Sequence, residues 1–386
     1  MSAGGDIPDS FATRLIRWQR QHGRHHLPWQ NTRDAYRVWL SEIMLQQTQV
    51  GTVIPYYQRF LEHFPDIQRL ASASLDGVMA QWSGLGYYSR ARNLHKAAQR
   101  IVREHGCAFP GEVDLIRQLP GVGRSTAAAI AVFAFGKRAA ILDGNVKRIF
   151  SRCFGIEGYS GEKHVETQLW QKAEALLPAR DENSSEREIG DYTQALMDLG
   201  ATICTRAHPR CGSCPLRLDC IAFRDNSVGR LPTPRPRKVL PEKETALLLV
   251  VAQEVAQGKI LLEKRPSAGI WGALWSLPEM PMNENVIEYC MRFGINVRPI
   301  SQMEAFTHTF THFRLRIYPL ILQVISGSPG HLSHLSPQAS PRAGNQRIWI
   351  MPEDALKAAI PSPVRKVLLQ YTSQTEPLEL LAAANN

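Results

Sequence analysis

Long apolar runs are missing from this sequence. The longest, Ala127 to Phe135 and Ala246 to Ala252, fall far short of the ~18 residues that span a bilayer, so no membrane span is expected. Met1 to Ser10 lacks the basic start and apolar stretch of a secretory signal and carries Asp6, Pro8 and Asp9 instead, which points to the cytoplasm. No internal repeat is present. Hydrophobic residues are not scarce: at 44% hydrophobic and 21% charged, the composition excludes bulk disorder. Cysteine is sparse and unevenly placed. Of seven, Cys107, Cys153 and Cys290 stand alone while four crowd into Cys204 to Cys220, a pattern of metal binding. Acidic residues are the scarcer charge, 35 against 45 Lys and Arg for a net charge of +10. Such a surplus favours a polyanionic partner, nucleic acid or acidic lipid, although solubility alone also accounts for it.

At roughly 150 residues per domain, a length of 386 predicts two or three domains. From Ser10 to about Cys220 the pattern is one of successive amphipathic helices. Tyr36, Trp39, Leu40, Ile43 and Met44, for example, recur at helical spacing on a helix expected to run from Tyr36 to Val50. Between Asn226 and Glu244, Pro232, Pro234, Pro236 and Pro241 mix with Arg230, Arg235, Arg237, Lys238 and Lys243, a stiff, basic composition read as a linker. Beyond it the period becomes that of strands. Ala246 to Ala252 and Ile260 to Leu262 are joined through Gln257-Gly258, and Phe313, Leu315 and Ile317 alternate with Arg314 and Arg316. Ile325 to Gly344 is expected to be a mobile loop, and Pro352 to Tyr371 two short helices split by Pro361 and Pro363. The expected divisions are thus 1–225, mostly α; 226–244, a linker; and 245–386, α+β.

Cys204, Cys211, Cys214 and Cys220 have six, two and five intervening residues, so one tight loop can gather four thiolates, which suit a soft metal. Structural zinc sites usually use two C-x-x-C pairs and here only Cys211 and Cys214 form one. The spacing therefore favours a [4Fe–4S] cluster, with zinc or unliganded thiols as alternatives. Arg206, Arg210 and Arg217 beside them read as phosphate contacts or as solvated surface. Leu119-Pro120-Gly121-Val122-Gly123 lies between the helix-like Val113 to Leu119 and an Ala-rich helix. Its glycines let backbone approach a ligand and the following N–H groups attract an anion, so it reads as a helix-hairpin-helix on a DNA phosphate or as a plain connecting turn.

Taken in order, that hairpin, Ile141-Leu142-Asp143-Gly144-Asn145-Val146-Lys147-Arg148 and the four-cysteine loop resemble the helix-hairpin-helix family of DNA glycosylases. Ser41-Glu42-Ile43-Met44-Leu45-Gln46-Gln47-Thr48-Gln49-Val50 and Gly84-Leu85-Gly86-Tyr87-Tyr88 resemble its adenine-specific branch, and the likeness runs from about Leu27 to about Leu369. It implies removal of adenine mispaired with 8-oxoguanine or guanine in double-stranded DNA by base excision repair. It also implies a [4Fe–4S] cluster on the four cysteines and a chain acting as a monomer.

Breaking an N-glycosidic bond needs a proton for the departing purine and negative charge beside the sugar, hence two carboxyls in opposite protonation states. Glu42, bordering Trp39 and on a stripe with Gln46 and Gln49, is the expected donor to the purine N7, its pKa raised by partial burial. Asp143, by itself an N-cap or turn former, matches the family's anion beside the sugar cation. Strand-cutting relatives carry a Lys nucleophile where this chain has Ser125, so a monofunctional glycosylase is expected. By the same resemblance Gln47 and Tyr87, assisted by Leu45, fill the stack that the extruded base leaves. Gly121, Gly123, Ser125 and Lys147 match DNA-binding positions, and Leu27, Trp29 and Gln194 match the adenine pocket. His25 and Gln30 depart from arginines found in some members. The second domain resembles Nudix hydrolases, yet in the expected Nudix helix, Ile287 to Gly294, Met291 and Arg292 replace the paired glutamates that hold Mg²⁺. A recognition module is expected instead, with Phe310, Thr311 and His312 inspecting 8-oxoguanine and Thr311 standing where Ser is commoner.

Overall fold

The computed structural model describes residues 10–179, 186–236, 239–252, 258–267, 269–326 and 346–383. The chain forms two compact units, Met1–Ser72 with Asn93–Arg237 and Ala73–Arg92 with Lys238–Asn386. Its helices begin with α1 (Phe11–His22), α2 (Ala35–Leu45), α3 (Val50–His63), α4 (Ile67–Ser72), α5 (Leu75–Trp82) and α6 (Ser89–His105). They continue with α7 (Val113–Arg117), α8 (Arg124–Phe135), α9 (Gly144–Cys153), α10 (Lys163–Ala175), α11 (Glu186–Thr202) and α12 (Ile221–Arg224). Among the described residues no helix is long and apolar enough to cross a membrane.

Asp34 starts α2, its Oδ1 accepting the N–H groups of Tyr36 (2.9 Å) and Arg37 (3.2 Å). The expected stripe is the buried one: Tyr36, Trp39, Leu40, Ile43 and Met44 all face the core. The helix nevertheless stops at Leu45 rather than reaching Val50. The Thr48 N–H turns back onto the Leu45 carbonyl at 3.2 Å and Gln47 takes a left-handed φ of 56°, which ends the helical ladder. Glu42, Gln46 and Gln49 therefore form no continuous stripe. α2 packs on α8 and α1 on α11. The alanines of α8, Ala127 to Ala131, are buried, and the core beneath gathers Leu15, Val132, Val146, Phe150, Tyr192 and Leu199.

The stretch read as a linker carries structure at both ends. Leu231 is buried and its carbonyl accepts from Arg152 Nε at 2.8 Å, while Thr233 Oγ1 accepts the Gly158 N–H at 3.0 Å. Its last residues already belong to a strand, β1 (Glu242–Ala252). Seven more follow: β2 (Lys259–Lys264), β3 (Trp275–Ser276), β4 (Glu279–Met280), β5 (Asn296–Gln302), β6 (Phe306–Thr309), β7 (Arg314–Ser326) and β8 (Arg347–Ile350). The sheet order is β3-β2-β1-β7-β5, with β4 on β1, β6 on β7 and β8 on β2. β1 and β7 run parallel from Glu242 opposite Arg314 to Val251 opposite Gln323. A central strand of this kind is covered on both faces. Leu247, Leu249 and Val251 meet Val364 and Leu368 of one layer, and Ala246, Leu248 and Val250 meet Cys290 of the other.

Cys290 lies on α13 (Val286–Met291), capped by Asn285 and shorter than the expected Ile287 to Gly294. Val364 and Leu368 lie on α15 (Ser362–Ala383), which follows α14 (Pro352–Lys357). The break falls before Pro361 as expected, but Pro363 sits in the first turn of α15, where a missing N–H costs nothing, and that helix, at 22 residues, runs well past Tyr371. Of the expected loop from Ile325 to Gly344, Ile325 and Ser326 end β7 and 327–344 lies outside the described residues, as does Gln257. Residues 73–92 are tied into this second unit. Lys264 Nζ pairs with Asp76 at 2.6 Å, the Tyr88 hydroxyl donates to the Ile360 carbonyl at 3.1 Å, and Arg92 donates to the Gly272 carbonyl at 2.7 Å.

Candidate active site

A cleft of about 910 Å³ opens in the helical unit between the end of α1, α2, α8 and α11, and Glu42 lines it. Sitting on α2 beside the buried Ile43 and Met44, the Glu42 carboxyl is largely removed from water. Burial first, and the nearby Asp143 charge second, push its pKa up to about 8. Asp143 caps α9, its Oδ1 accepting the Val146 N–H at 2.8 Å. Burial raises its pKa too, opposed by the Val146 and Asn145 N–H groups and by Arg148. Ser125 Oγ accepts the Leu142 N–H at 2.9 Å, so this side chain at the start of α8 fixes the backbone that delivers Asp143. Two carboxyls of unlike environment within electrostatic reach of one another are the arrangement that separates an acid from a base.

Leu27, Trp29 and Gln194 line the same cleft. Leu27 is buried, and Trp29 packs edge-on against Tyr57 with ring centroids 5.5 Å apart. The two positions that depart from arginine brace this wall. His25 Nε2 lies 3.0 Å from the Gln19 carbonyl, while Gln30 accepts the Leu27 N–H at 3.1 Å and donates to the Arg24 carbonyl at 2.9 Å. Away from the cleft, Gly121 has a φ of 80° and leaves no room for a Cβ, which would fall 2.8 Å from that of Asn93. Gly123 precedes α8 without any side-chain cap, so the first N–H groups of α8 are open to an anion.

Cys204, Cys211, Cys214 and Cys220 border one small cavity of about 20 Å³, walled by Ile149, Leu199 and Ile203, and none is in a disulfide. Among the described residues no three His, Cys, Asp or Glu side chains converge as one metal ion demands. The cavity's lining holds thiols and no carboxylate or imidazole, so the chemistry of the donor set fits a [4Fe–4S] cluster. Sequence reasoning missed the residue that holds this loop. Arg152 is 3% exposed and donates to Cys204 Sγ (3.4 Å) and to the carbonyls of Thr205 (2.7 Å) and Leu231 (2.8 Å). Its signal was a charge between Phe150 and Cys153 on the apolar face of α9. Arg210, though exposed, donates to the Thr202 carbonyl at 2.6 Å.

Two family descriptions match: HhH-GPD superfamily base excision DNA repair protein over residues 40–175, and NUDIX domain over residues 249–370. The adenine DNA glycosylase of Buchnera aphidicola subsp. Acyrthosiphon pisum is 35% identical over 361 residues, 94% of this chain and 97% of that protein. Those of Rattus norvegicus and Homo sapiens are each 33% identical over 95% of this chain, and over 79% and 74% of their own lengths. The chain belongs to the adenine DNA glycosylase family. A solved thermostable thymine-DNA glycosylase superposes with a TM-score of 0.50 at 29% identity, over 56% of this chain and 95% of that one.

Membership in the adenine DNA glycosylase family makes the protein a base-excision-repair enzyme that hydrolyses N-glycosyl bonds. Of the other positions that the resemblance singled out, Leu45 at the end of α2 also lines the cleft. Gln47 is exposed in its left-handed turn. Tyr87, 49% exposed, takes a φ of 49°, and Arg90 lies 5.4 Å from its ring centroid. Bulky side chains held in this region are strained, a cost tolerated mainly where function needs it. Lys147 is engaged, with Glu166 at 2.6 Å and the Ser160 carbonyl at 3.3 Å. In the second unit Phe310, Thr311 and His312 form the turn between β6 and β7, closed by the Phe310 N–H on the Phe313 carbonyl at 2.9 Å. Phe310 stacks on Phe313 with centroids 4.5 Å apart, leaving Thr311 and His312 exposed at the tip.

Proposed function

We propose that this protein excises adenine mispaired with 8-oxoguanine, or with guanine, from duplex DNA. The observation that carries the reading is Glu42 lining the same cleft as Leu27, Trp29 and Gln194, with burial and the nearby Asp143 charge pushing its pKa up to about 8. The open N–H groups behind Gly121 and Gly123 hold a phosphate, and Gln47 and Tyr87 occupy the stack vacated by the flipped base. Adenine enters between Leu27, Trp29 and Gln194, Glu42 gives its proton to N7, and the bond from the base to C1′ breaks. Asp143 keeps its charge against the sugar cation until water adds at C1′ as hydroxide, its other proton returning to the Glu42 carboxylate, which leaves an abasic site. Single-turnover assays on a duplex with adenine opposite 8-oxoguanine test this directly, and an inert wild-type protein would sink it.

Ser125 offers no amine, so we expect base release without strand cleavage. Rapid cleavage with a borohydride-trapped adduct would contradict a monofunctional enzyme. Cys204, Cys211, Cys214 and Cys220 would hold a [4Fe–4S] cluster. When bound, such a group supplies a charged, redox-capable centre beside the loop that Arg152 anchors, whereas the hydrolysis above moves no electrons. For the second unit, the exposed tip at Thr311 and His312 supports recognition of 8-oxoguanine. Replacing both with Ala is expected to lower the preference for adenine opposite 8-oxoguanine over adenine opposite guanine by roughly tenfold, the equivalent of one lost hydrogen bond. Excision rates on the two duplexes give that ratio, and an unchanged value removes the tip from the recognition role.

A further inference from the structure

Asp198 on α11 is a charged side chain with no exposure at all, placed one turn from Gln194. Its Oδ2 accepts the Arg24 backbone N–H at 2.9 Å, and its Oδ1 accepts both Arg24 Nε–H at 2.8 Å and Gln194 Nε2–H at 2.9 Å. The contact is built closely. A Cβ on Gly23 would fall 3.0 Å from Asp198 Oδ2 and 2.5 Å from the Gln19 carbonyl oxygen, so the loop after α1 reaches the carboxylate only because residue 23 lacks a side chain. A carboxylate paired with a guanidinium offers lone pairs alone, so the nitrogen end of the Gln194 amide has to face it. This leaves the carbonyl oxygen of Gln194 for the cleft that the residue lines.

We propose that Asp198 is a positioning residue that fixes the polarity of the Gln194 amide, so that the pocket offers an acceptor and selects a purine with an amine at its six position. The inference rests on reading the cleft as the adenine pocket. Adenine presents an N–H₂ there and guanine a carbonyl. An acceptor set against a carbonyl leaves two desolvated lone pairs opposed, and sites of this kind reject the mismatched group strongly. The restraint lies in the backbone. The Arg24 N–H is held by a loop fastened through Gln30 and His25, so the acceptor on Oδ2 is fixed in place.

Asp198→Asn is isosteric and reverses the logic. The new amide keeps its oxygen on the fixed Arg24 backbone N–H and turns its nitrogen to Gln194. The Arg24 side chain, already 22% exposed, gives up its Nε–H contact for water, and the Gln194 amide then flips and presents N–H to the cleft. Single-turnover rates are measured for the full chain on duplexes carrying adenine or hypoxanthine, a six-oxo purine, opposite 8-oxoguanine. D198N is expected to lower the ratio of adenine to hypoxanthine excision by at least about tenfold. Gln194→Met is expected to lower the ratio as well, and D198N to add nothing in that background. Equal losses on both substrates in D198N, with the ratio kept, would show a merely structural role and overturn the proposal. A wild-type ratio in Q194M overturns it too, and decides the matter even where D198N does not fold. A wild-type protein inert on adenine would instead strike the reading of the pocket itself.

Discussion

Glu42→Gln is expected to slow single-turnover excision of adenine by at least about a hundredfold, the lower end of what a positioned general acid contributes. The variant keeps the shape of the side chain and loses only the transferable proton. In the wild type Glu42 holds that proton up to about pH 8. The rate therefore falls as pH rises through that value, and the residual rate of E42Q has no such limb. On the acid side Asp143 must be ionised, and burial raises its pKa, so a second fall is expected there. Since the two carboxyls feel one another, the limbs of the bell belong to the pair. Stability supplies an independent check. Glu42 titrates near 4.5 in the unfolded chain and near 8 in the folded one, so its contribution is whole below pH 4.5 and is lost as pH rises toward 8. At about 1.4 kcal/mol per unit, E42Q should melt above the wild type at pH 8, with the advantage vanishing near pH 5. Wild-type excision at neutral pH by E42Q would remove Glu42 from the mechanism.

Where burial follows a local period, the sequence was a good guide. The face of α2 and the alternation of Phe313, Leu315 and Ile317 with exposed Arg314 and Arg316 are set by spacing alone. The division into a mostly α part and an α+β part follows from the same change of period. The end of α2 was not legible, because Gln46 and Gln47 are acceptable helix formers and only the surrounding fold demands a left-handed residue at 47. Proline content suggested an extended linker but does not show that Leu231 is buried. Nor does any local feature reveal that residues 73–92 join the second unit, since Asp76, Tyr88 and Arg92 find partners 180 or more positions away.

The candidate site was legible only in part, for the same reason. Glu42 and Asp143 are 101 positions apart in the sequence (143 − 42), and resemblance rather than spacing joined them. Asp198 and Arg152 carried a fainter signal, a charge among buried neighbours. Asp198 lies between Leu196 and Leu199 on α11, and Arg152 lies beside Cys153 on α9. A charge there is stable only with dedicated partners, which is why both turn out to fix other groups in place.

Asp143→Asn separates charge from structure at the second carboxyl. The Asp143 oxygen that accepts the Val146 N–H at 2.8 Å has an equivalent in Asn, and Asn is as good an N-cap as Asp. α9, the backbone held by Ser125 and the shape of the site should all survive. What disappears is the anion beside the forming sugar cation, and with it the interaction that strengthens only as charge develops. Excision of adenine opposite 8-oxoguanine is accordingly expected to fall on the order of a thousandfold or more, while binding of the duplex, read by gel shift, stays within a few-fold of wild type. Asp143→Ala makes the complementary cut. It loses the charge and also the cap, so it should match D143N in rate but melt lower by the equivalent of ~1 kcal/mol. The Asn variant has a second consequence. Part of the upward push on Glu42 comes from the Asp143 charge, so removing that charge should shift any residual alkaline limb toward lower pH. Near wild-type excision by D143N would show that no anion at this position is needed, and the assignment of the two carboxyls to opposite protonation states would fail with it.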